Sequence, residues 1–183
     1  MKRFAVIIVI VTGITVVLTS FNKDEKDEPV DEVTLGKLLF SDPILSKDKK
    51  VSCASCHRAE YAFADTSAVS IGVGGKKGIR NTQTAMNLRF DTSFFWDGRA
   101  KTLEEQALAP IANPDEMNLP VYVAIKRLKR NKKYNAYFKK IFNSEPTAKH
   151  LAKAIAAFER TLETSDSPFD NWKFYDDANA VTD

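Results

Sequence analysis

The stretch Cys53-Ala54-Ser55-Cys56-His57 decides how the remainder of this 183-residue chain has to fold. It reads C-x-x-C-H, the spacing at which two thiols can each form a thioether with one vinyl group of a porphyrin. The histidine beside the second thiol is then held under the iron and ligates it through an imidazole nitrogen. A haem bound this close to the backbone must lie in the core. The motif therefore predicts one covalent haem c, bound through Cys53 and Cys56, with His57 as the axial ligand of the iron.

Two other uses of paired cysteines fit the sequence less well. A redox-active C-x-x-C pair is expected in a thioredoxin-like βαβ context, and the chain shows no such pattern. A structural zinc ion needs four nitrogen or sulfur ligands, whereas the chain has two cysteines and two histidines, and the second histidine is the distant His150. His150 falls in the first turn of a predicted helix, where the dipole disfavours a positive imidazole. A surface or packing role is therefore favoured over iron ligation for His150.

The composition excludes several other classes of function. Hydrophobic residues make up 44% of the chain, as in ordinary globular proteins, and the net charge of +3 is too small to argue for nucleic-acid binding. No phosphate-binding G-x-x-x-x-G-K-[ST] loop and no H-E-x-x-H motif is present. The glycine-rich segment 71–78 lacks the dinucleotide-binding spacing, so its glycines are expected to let the backbone approach a flat ligand.

The N-terminus predicts export. Lys2 and Arg3 precede the apolar residues 4–18, an arrangement typical of a signal peptide covering residues 1–20. Residues 4–21 carry no charge, so an uncleaved N-terminal membrane anchor is the alternative. Both arrangements place the following domain in the periplasm, where c-type haem is attached. Residues 21–32, rich in lysine and acidic residues, are predicted to form a charged tether.

Residues 33–175 are predicted to form an all-α domain, a cytochrome c-like helical fold wrapped round one covalent haem with long loops, followed by a loose tail at 176–183. Helices are expected at 33–40, from a capping box of Thr102 and Glu105 through Leu108, from Pro120, and at 147–163. Pro110 and Pro114 are expected to break up the segment between the second and third helices. The stretch 167–170 is expected to be a turn.

Two side-chain clusters invite a functional interpretation. Phe94, Phe95 and Trp96 are adjacent, and next to a haem motif they predict either a porphyrin wall or simple core; Arg99 is expected to pair with a haem propionate. Residues 126–140 are rich in lysine and arginine. A solvated face is the favoured interpretation of these charges, and docking of an acidic electron-transfer partner or an anionic membrane surface is the alternative.

Several longer strings carry a family resemblance over roughly residues 34–170. They include LGKLLF at 35–40, FAD at 63–65, RNTQT at 80–84, FWDGRA at 95–100, LEEQA at 103–107 and AIAAFERTL at 154–162. With these strings the chain resembles the bacterial di-haem cytochrome c peroxidases and the related methylamine-utilisation maturation enzymes. It is similar to the N-terminal half of that family, which bears the haem that reacts with peroxide.

The resemblance implies roles for particular residues. Gln106 and Glu116 would stand over the open side of the haem, and Trp96 would lie near it and take part in electron transfer. Asn81 would contribute to a calcium site between two domains. The resemblance also implies hydrogen peroxide as substrate and a donor cytochrome or other small redox protein as the source of electrons.

Two departures from the family keep alternatives open. The sequence holds no second C-x-x-C-H, and Val73 stands where many members carry a histidine that closes the iron. One alternative is a single-haem electron-transfer cytochrome in which Met86 or Met117 is the sixth ligand. Another is a truncated fragment of a di-haem enzyme. We expect the sixth position of the iron to be open at rest.

Overall fold

A central pair of crossing helices organises the fold. The computed structural model describes residues 28–165 and 167–181. Within these residues it has six α-helices: α1 Glu32–Ser41, α2 Leu103–Ala112, α3 Val121–Arg130, α4 Lys132–Phe142, α5 Ala148–Glu159 and α6 Pro168–Phe174. β structure in the same residues is confined to isolated bridges, such as the one between Phe94 and Ala100. The predicted all-α fold is confirmed.

The predicted leader, residues 1–20, lies outside the described residues, as does the tether up to residue 27. Packing begins within the last part of that tether, because Pro29 is buried and Glu32 already belongs to α1. None of the helices at 28–165 or 167–181 is long and apolar enough to cross a membrane.

Helix α1 packs closely on α5. It begins where Asp31 accepts a hydrogen bond from the backbone N–H of Thr34 at 2.8 Å, which satisfies one of the unpaired donors of the first turn. Its inner face buries Leu35, Leu39 and Phe40. Gly36 lies directly against α5, and a Cβ atom at this position would overlap the backbone of Ala154. Glycine therefore sets the distance between the two helices.

We expect Gly36→Ala to lower the free energy of unfolding by about 2 kcal/mol, since overpacking of a core typically costs 1–3 kcal/mol and the upper end of that range applies where the new atom meets rigid backbone. The cost of overpacking is partly offset, because alanine is more favourable than glycine inside a helix by roughly 1 kcal/mol. Urea unfolding followed by circular dichroism measures it. Lys37→Ala, on the exposed side of α1, is the control and should change stability by less than about 0.5 kcal/mol. Equal stability of the two variants would contradict the close crossing.

The helices differ from the prediction in several places: α4 was not predicted, and α5 ends at Glu159 and not at residue 163. Helix α2 does not stop before Pro110 but continues to Ala112. The ring removes one hydrogen bond near the end of the helix, and the segment that follows folds back so that Met117 N–H donates to the Pro110 carbonyl at 3.1 Å. The stretch 167–170 is not a simple turn. It opens α6, with Ser167 and Asp170 as a reciprocal capping box and Pro168 in the first turn.

The predicted long loops are present between α1 and α2. Residues 42–102 contain only short 3₁₀ turns, at Pro43–Leu45, Cys53–Ser55, Ala59–Tyr61, Val73–Gly75 and Leu88–Phe90. These loops, together with one face each of α2 and α5, enclose a large cavity. The helices thus form a scaffold, and the loops form most of the walls of the site.

Candidate active site

The cavity beside the C-x-x-C-H motif has a volume of about 740 Å³. This volume lies within the range of roughly 300–1,000 Å³ that small-molecule and cofactor sites occupy. Cys53, Cys56 and His57 line one wall. The other walls include Phe94, Phe95, Trp96, Arg99, Gln106, Glu116, Met86, Met117, Ile155 and Glu159. The structure therefore brings nearly all the predicted site residues to one place.

His57 is prepared to ligate a metal. Its Nδ1 lies 3.1 Å from the Phe63 carbonyl oxygen, which can only accept, so Nδ1 carries the proton and donates it. The lone pair of Nε2 is then left for iron, which is the arrangement that a hydrogen-bonded carbonyl imposes on metal-binding histidines. Burial lowers the pKa of the imidazole and keeps it neutral, as ligation requires.

The two thiols fit covalent attachment better than redox exchange. Cys53 opens a 3₁₀ turn, and its carbonyl accepts the backbone N–H of Cys56 at 3.1 Å and that of His57 at 2.9 Å. This turn presents both thiols and the imidazole to the same cavity. Burial raises the pKa of both thiols, whereas redox-active C-x-x-C pairs have a lowered pKa. The cavity and its three groups therefore fit a haem c.

Glu116 reaches the cavity from a loop that is fixed on both sides. Its carboxylate accepts a hydrogen bond from the Asn113 amide at 2.8 Å, and its carbonyl accepts the N–H of Val73 at 2.7 Å. A Cβ atom on Gly72 would overlap the carbonyl oxygens of Asp115 and Glu116. Glycine is therefore required at position 72 because the chain there lies against the backbone of residues 115 and 116. The sequence had predicted close contact with a flat ligand instead.

Burial is also the main influence on the Glu116 carboxyl. It raises the pKa of Glu116, while the positive charge of Arg99 opposes that change. Gln106, on α2, lines the same cavity and is partly buried. The predicted amide and carboxyl therefore both line the cavity that His57 lines, Gln106 from α2 and Glu116 from the loop that follows this helix.

The aromatic cluster forms a wall with one open end. Phe94, Phe95 and Trp96 all line the cavity, which favours the porphyrin wall over simple core. Trp96 is 60% exposed, and its indole N–H donates to the Asn81 carbonyl at 2.9 Å. This pair therefore lies at the mouth of the cavity. Arg99 also lines the cavity, with its guanidinium 3.5 Å from the centre of the Phe95 ring.

Arg99 is already engaged by a neighbour. Its Nη1 donates to Asp97 at 2.9 Å, and Arg80 donates to the same carboxylate at 2.8 Å. These two guanidinium groups lower the pKa of Asp97 to about 2. The pairing holds Arg99 at the cavity while leaving other N–H groups of its guanidinium for an anion.

The candidates for a sixth iron ligand differ in whether they line the cavity. His150 stacks on Phe142, with ring centres 4.5 Å apart and planes 3° from parallel, and it does not line the cavity. Its packing role was correctly favoured over ligation. Met86 and Met117 both line the cavity, and Met117 is almost fully buried. Methionine ligation therefore remains the alternative that the geometry allows.

One residue of the cavity, Glu159, is not among the site residues predicted from the sequence. Glu159 is only 5% exposed, and its Oε2 is buried without a hydrogen-bond partner. The sequence does contain an indication of its position, because Glu159 follows Ile155 by four residues and so lies on the same face of the helix. A charged residue at a core position of an apolar stripe is unusual enough to mark it.

Comparison with known proteins identifies the family. The family model for di-haem cytochrome c peroxidases matches residues 30–178. The chain belongs to this family. The matched range contains the whole cavity, and the family consists of haem-binding oxidoreductases of the cytochrome c peroxidase type. The resemblance inferred from the sequence is confirmed.

Individual relatives come from both branches of the family. Methylamine utilization protein MauG of Methylorubrum extorquens is 41% identical over 150 residues, which are 81% of this chain and 42% of that protein. Cytochrome c551 peroxidase of Nitrosomonas europaea is 44% identical over 146 residues, or 79% of this chain and 44% of that protein. The chain spans less than half the length of these two relatives.

Solved structures of the family confirm the cytochrome c-like helical fold. A MauG-like protein associated with microbial copper homeostasis superposes with a TM-score of 0.71 at 32% identity, covering 80% of this chain and 45% of that one. The diheme peroxidase BthA from Burkholderia thailandensis superposes with a TM-score of 0.68 at 27% identity, covering 77% of this chain and 41% of that one.

Proposed function

We propose that this chain is a periplasmic c-type haem protein that reduces hydrogen peroxide and takes its electrons from a donor cytochrome or other small redox protein. It would correspond to the N-terminal, peroxidatic half of a di-haem cytochrome c peroxidase. The observation that carries the proposal is that a buried carboxyl, Glu116, and an amide, Gln106, line the same cavity as His57 and both thiols. Residues 1–20 would export or anchor the domain.

In this proposal Cys53 and Cys56 would hold the haem covalently and His57 would ligate its iron, which would supply the binding of peroxide and the exchange of electrons. Glu116 would take the proton from one oxygen of peroxide and give it to the other, which would leave as water when the O–O bond breaks. Two electrons from the donor and two protons would reduce the remaining oxygen to a second water. The Asn113 amide, bonded to the Glu116 carboxylate at 2.8 Å, holds it in one orientation. Gln106 orients peroxide by hydrogen bonding.

The rim of the cavity would serve the haem edge and the donor. Arg99 is proposed to pair with a propionate, since its guanidinium lines the cavity and forms charge-assisted hydrogen bonds. Trp96, exposed at the mouth, would lie on the path of incoming electrons. Asn81, whose carbonyl holds the Trp96 indole, is the proposed contributor to a calcium site shared with a second domain.

The competing function is a single-haem electron-transfer cytochrome without peroxidase activity. It is supported by one observation, that Met86 and Met117 line the cavity and a methionine sixth ligand is typical of electron carriers. The state of the sixth coordination position therefore distinguishes the two functions.

We expect the resting ferric protein to be high-spin and to bind cyanide without prior reduction. The loop 71–75 offers no side chain able to bind iron, and His150 is packed against Phe142 outside the cavity. Electron paramagnetic resonance of the oxidised protein and a cyanide difference spectrum measure this. A dominant low-spin signal of His/Met type, with no spectral response to peroxide, would favour the electron carrier. Met86→Leu and Met117→Leu would then identify the ligand, since only the true ligand's variant turns high-spin.

A further inference from the structure

Glu159 is a buried acid with no assigned partner. It lies in the last turn of α5, where the helix dipole disfavours a negative charge. Its side chain lines the cavity beside Ile155, and its Oε2 is buried without a hydrogen bond. Neither the attachment of haem nor the proton transfer assigned to Glu116 uses it. A buried polar atom aimed into a cofactor cavity without a partner calls for an explanation.

The charged groups around Glu159 do not neutralise it. Arg160, the next residue, donates from both terminal nitrogens to the Glu104 carboxylate of α2 at 2.7 and 2.9 Å, so its charge is held at the surface. Cys53 in the haem-motif turn is close enough for the Glu159 charge to raise the pKa of its thiol. On α1, Glu32 is engaged in a surface ion pair. Within residues 28–165 and 167–181, the ionisable groups that interact with Glu159 are Cys53, Glu104 and Arg160.

With haem bound, the Glu159 carboxyl and the iron would share the cavity that Glu159 and His57 both line, so the charge of each would affect the other. Ferric haem carries one more positive charge than ferrous haem. That charge favours the carboxylate form of Glu159, and its loss on reduction favours the neutral acid.

We propose that Glu159 is the proton-binding group coupled to haem reduction. When one electron from the donor redox protein converts ferric to ferrous iron, the Glu159 carboxylate takes one proton from solvent and becomes the acid. Reoxidation releases the electron and the proton together. The net charge inside the cavity then stays constant, which avoids an uncompensated buried charge in either state. This inference requires haem attachment at Cys53 and Cys56 but does not require peroxidase activity.

The protonation equilibrium of Glu159 falls in an accessible range. Burial raises the pKa of Glu159 to about 8, with Arg160 opposing the shift and Glu104 adding to it. Because reduction binds a proton, raising the pH must lower the midpoint potential. The slope approaches about 59 mV per pH unit between the pKa values of the oxidised and reduced states, since tenfold in a one-electron equilibrium is 59 mV.

The test is spectroelectrochemical titration of the haem-loaded full chain from pH 6 to pH 10. We expect the wild type to show this slope near pH 8 and Glu159→Gln, which cannot ionise, to lose it. Glu145→Gln, at an exposed acid paired with lysines, is the matched control and should keep the slope. Glu116→Gln should keep it as well. Slopes contributed by the haem propionates are common to all four proteins and cancel in the comparison.

A second measurement does not depend on a variant that folds. The infrared difference spectrum of the wild type, reduced minus oxidised, should contain the C=O stretch of a newly protonated carboxylic acid, shifted in deuterated water. Equal slopes in the wild type and Glu159→Gln, loss of the slope in Glu116→Gln alone, or absence of the carboxylic band overturns the proposal. Failure to attach haem would overturn both proposals, whereas haem without a peroxide reaction would overturn only the proposed function.

Discussion

The Cys53→Ala, Cys56→Ala double variant is expected to lose covalent haem completely. Each thioether needs one of these thiols, and both line the cavity beside His57. The chain has no other cysteine that could replace them. Haem staining of a denaturing gel measures the effect, after expression together with the machinery that attaches c-type haem. The wild type should give a haem band at the position of the polypeptide, and the double variant should give none.

A control and a graded series sharpen this test. Ala54→Ser changes the motif only between the two thiols and should retain full staining. Each single cysteine variant leaves one possible thioether and should stain more weakly. A double variant that kept haem through denaturation would falsify covalent attachment at this motif. Loss of staining in Ala54→Ser as well would indicate a general failure of export or folding instead.

The second large effect concerns Glu116. Glu116→Gln should slow the reaction with peroxide by about 10²-fold or more, because loss of a positioned acid–base group costs roughly 10²–10⁴-fold. The glutamine keeps the size of the side chain but cannot accept and return a proton. Stopped-flow recording of the peroxide-induced change in the haem spectrum measures the rate. Asp115→Asn is the matched control, since Asp115 is the exposed neighbour that pairs with Lys76 at 3.5 Å.

The pH dependence separates an acid–base role from a structural one. Burial raises the pKa of Glu116, and proton abstraction needs its carboxylate form. In the wild type and in Asp115→Asn, the rate should therefore fall as the pH drops through that raised pKa. In Glu116→Gln this acidic limb should disappear. An unchanged rate, or the same acidic limb in the glutamine variant, would remove Glu116 from the mechanism and leave haem binding intact.

Local patterns in the sequence determined the fold class and the centre of the site. The C-x-x-C-H spacing identified Cys53, Cys56 and His57, and the three do line one cavity. Thr102 opens α2 as a helix cap, because its hydroxyl and the backbone N–H of Glu105 are only three positions apart. Residues this close in the chain meet whatever the rest of the molecule does, so their pattern can be interpreted without a structure.

The family resemblance extended the prediction to residues that no local pattern could connect. Gln106 and Glu116 are distant from His57 in sequence, and their presence in its cavity follows from the way the end of α2 and the loop after it pack. The resemblance supplied both residues, and in the structure both line the cavity that His57 lines. Their chemical roles are tested by the variants described above.

Tertiary structure alone decided the remaining points. It packed His150 against Phe142 away from the cavity and made Gly72 essential for the backbone that carries Glu116. It also allowed α2 to continue through Pro110, because the returning chain supplies a donor to that residue's carbonyl. Glu159 became a buried acid only when α5 closed over the cavity. Burial and contacts between distant segments depend on packing of the whole chain, which short-range sequence patterns do not report.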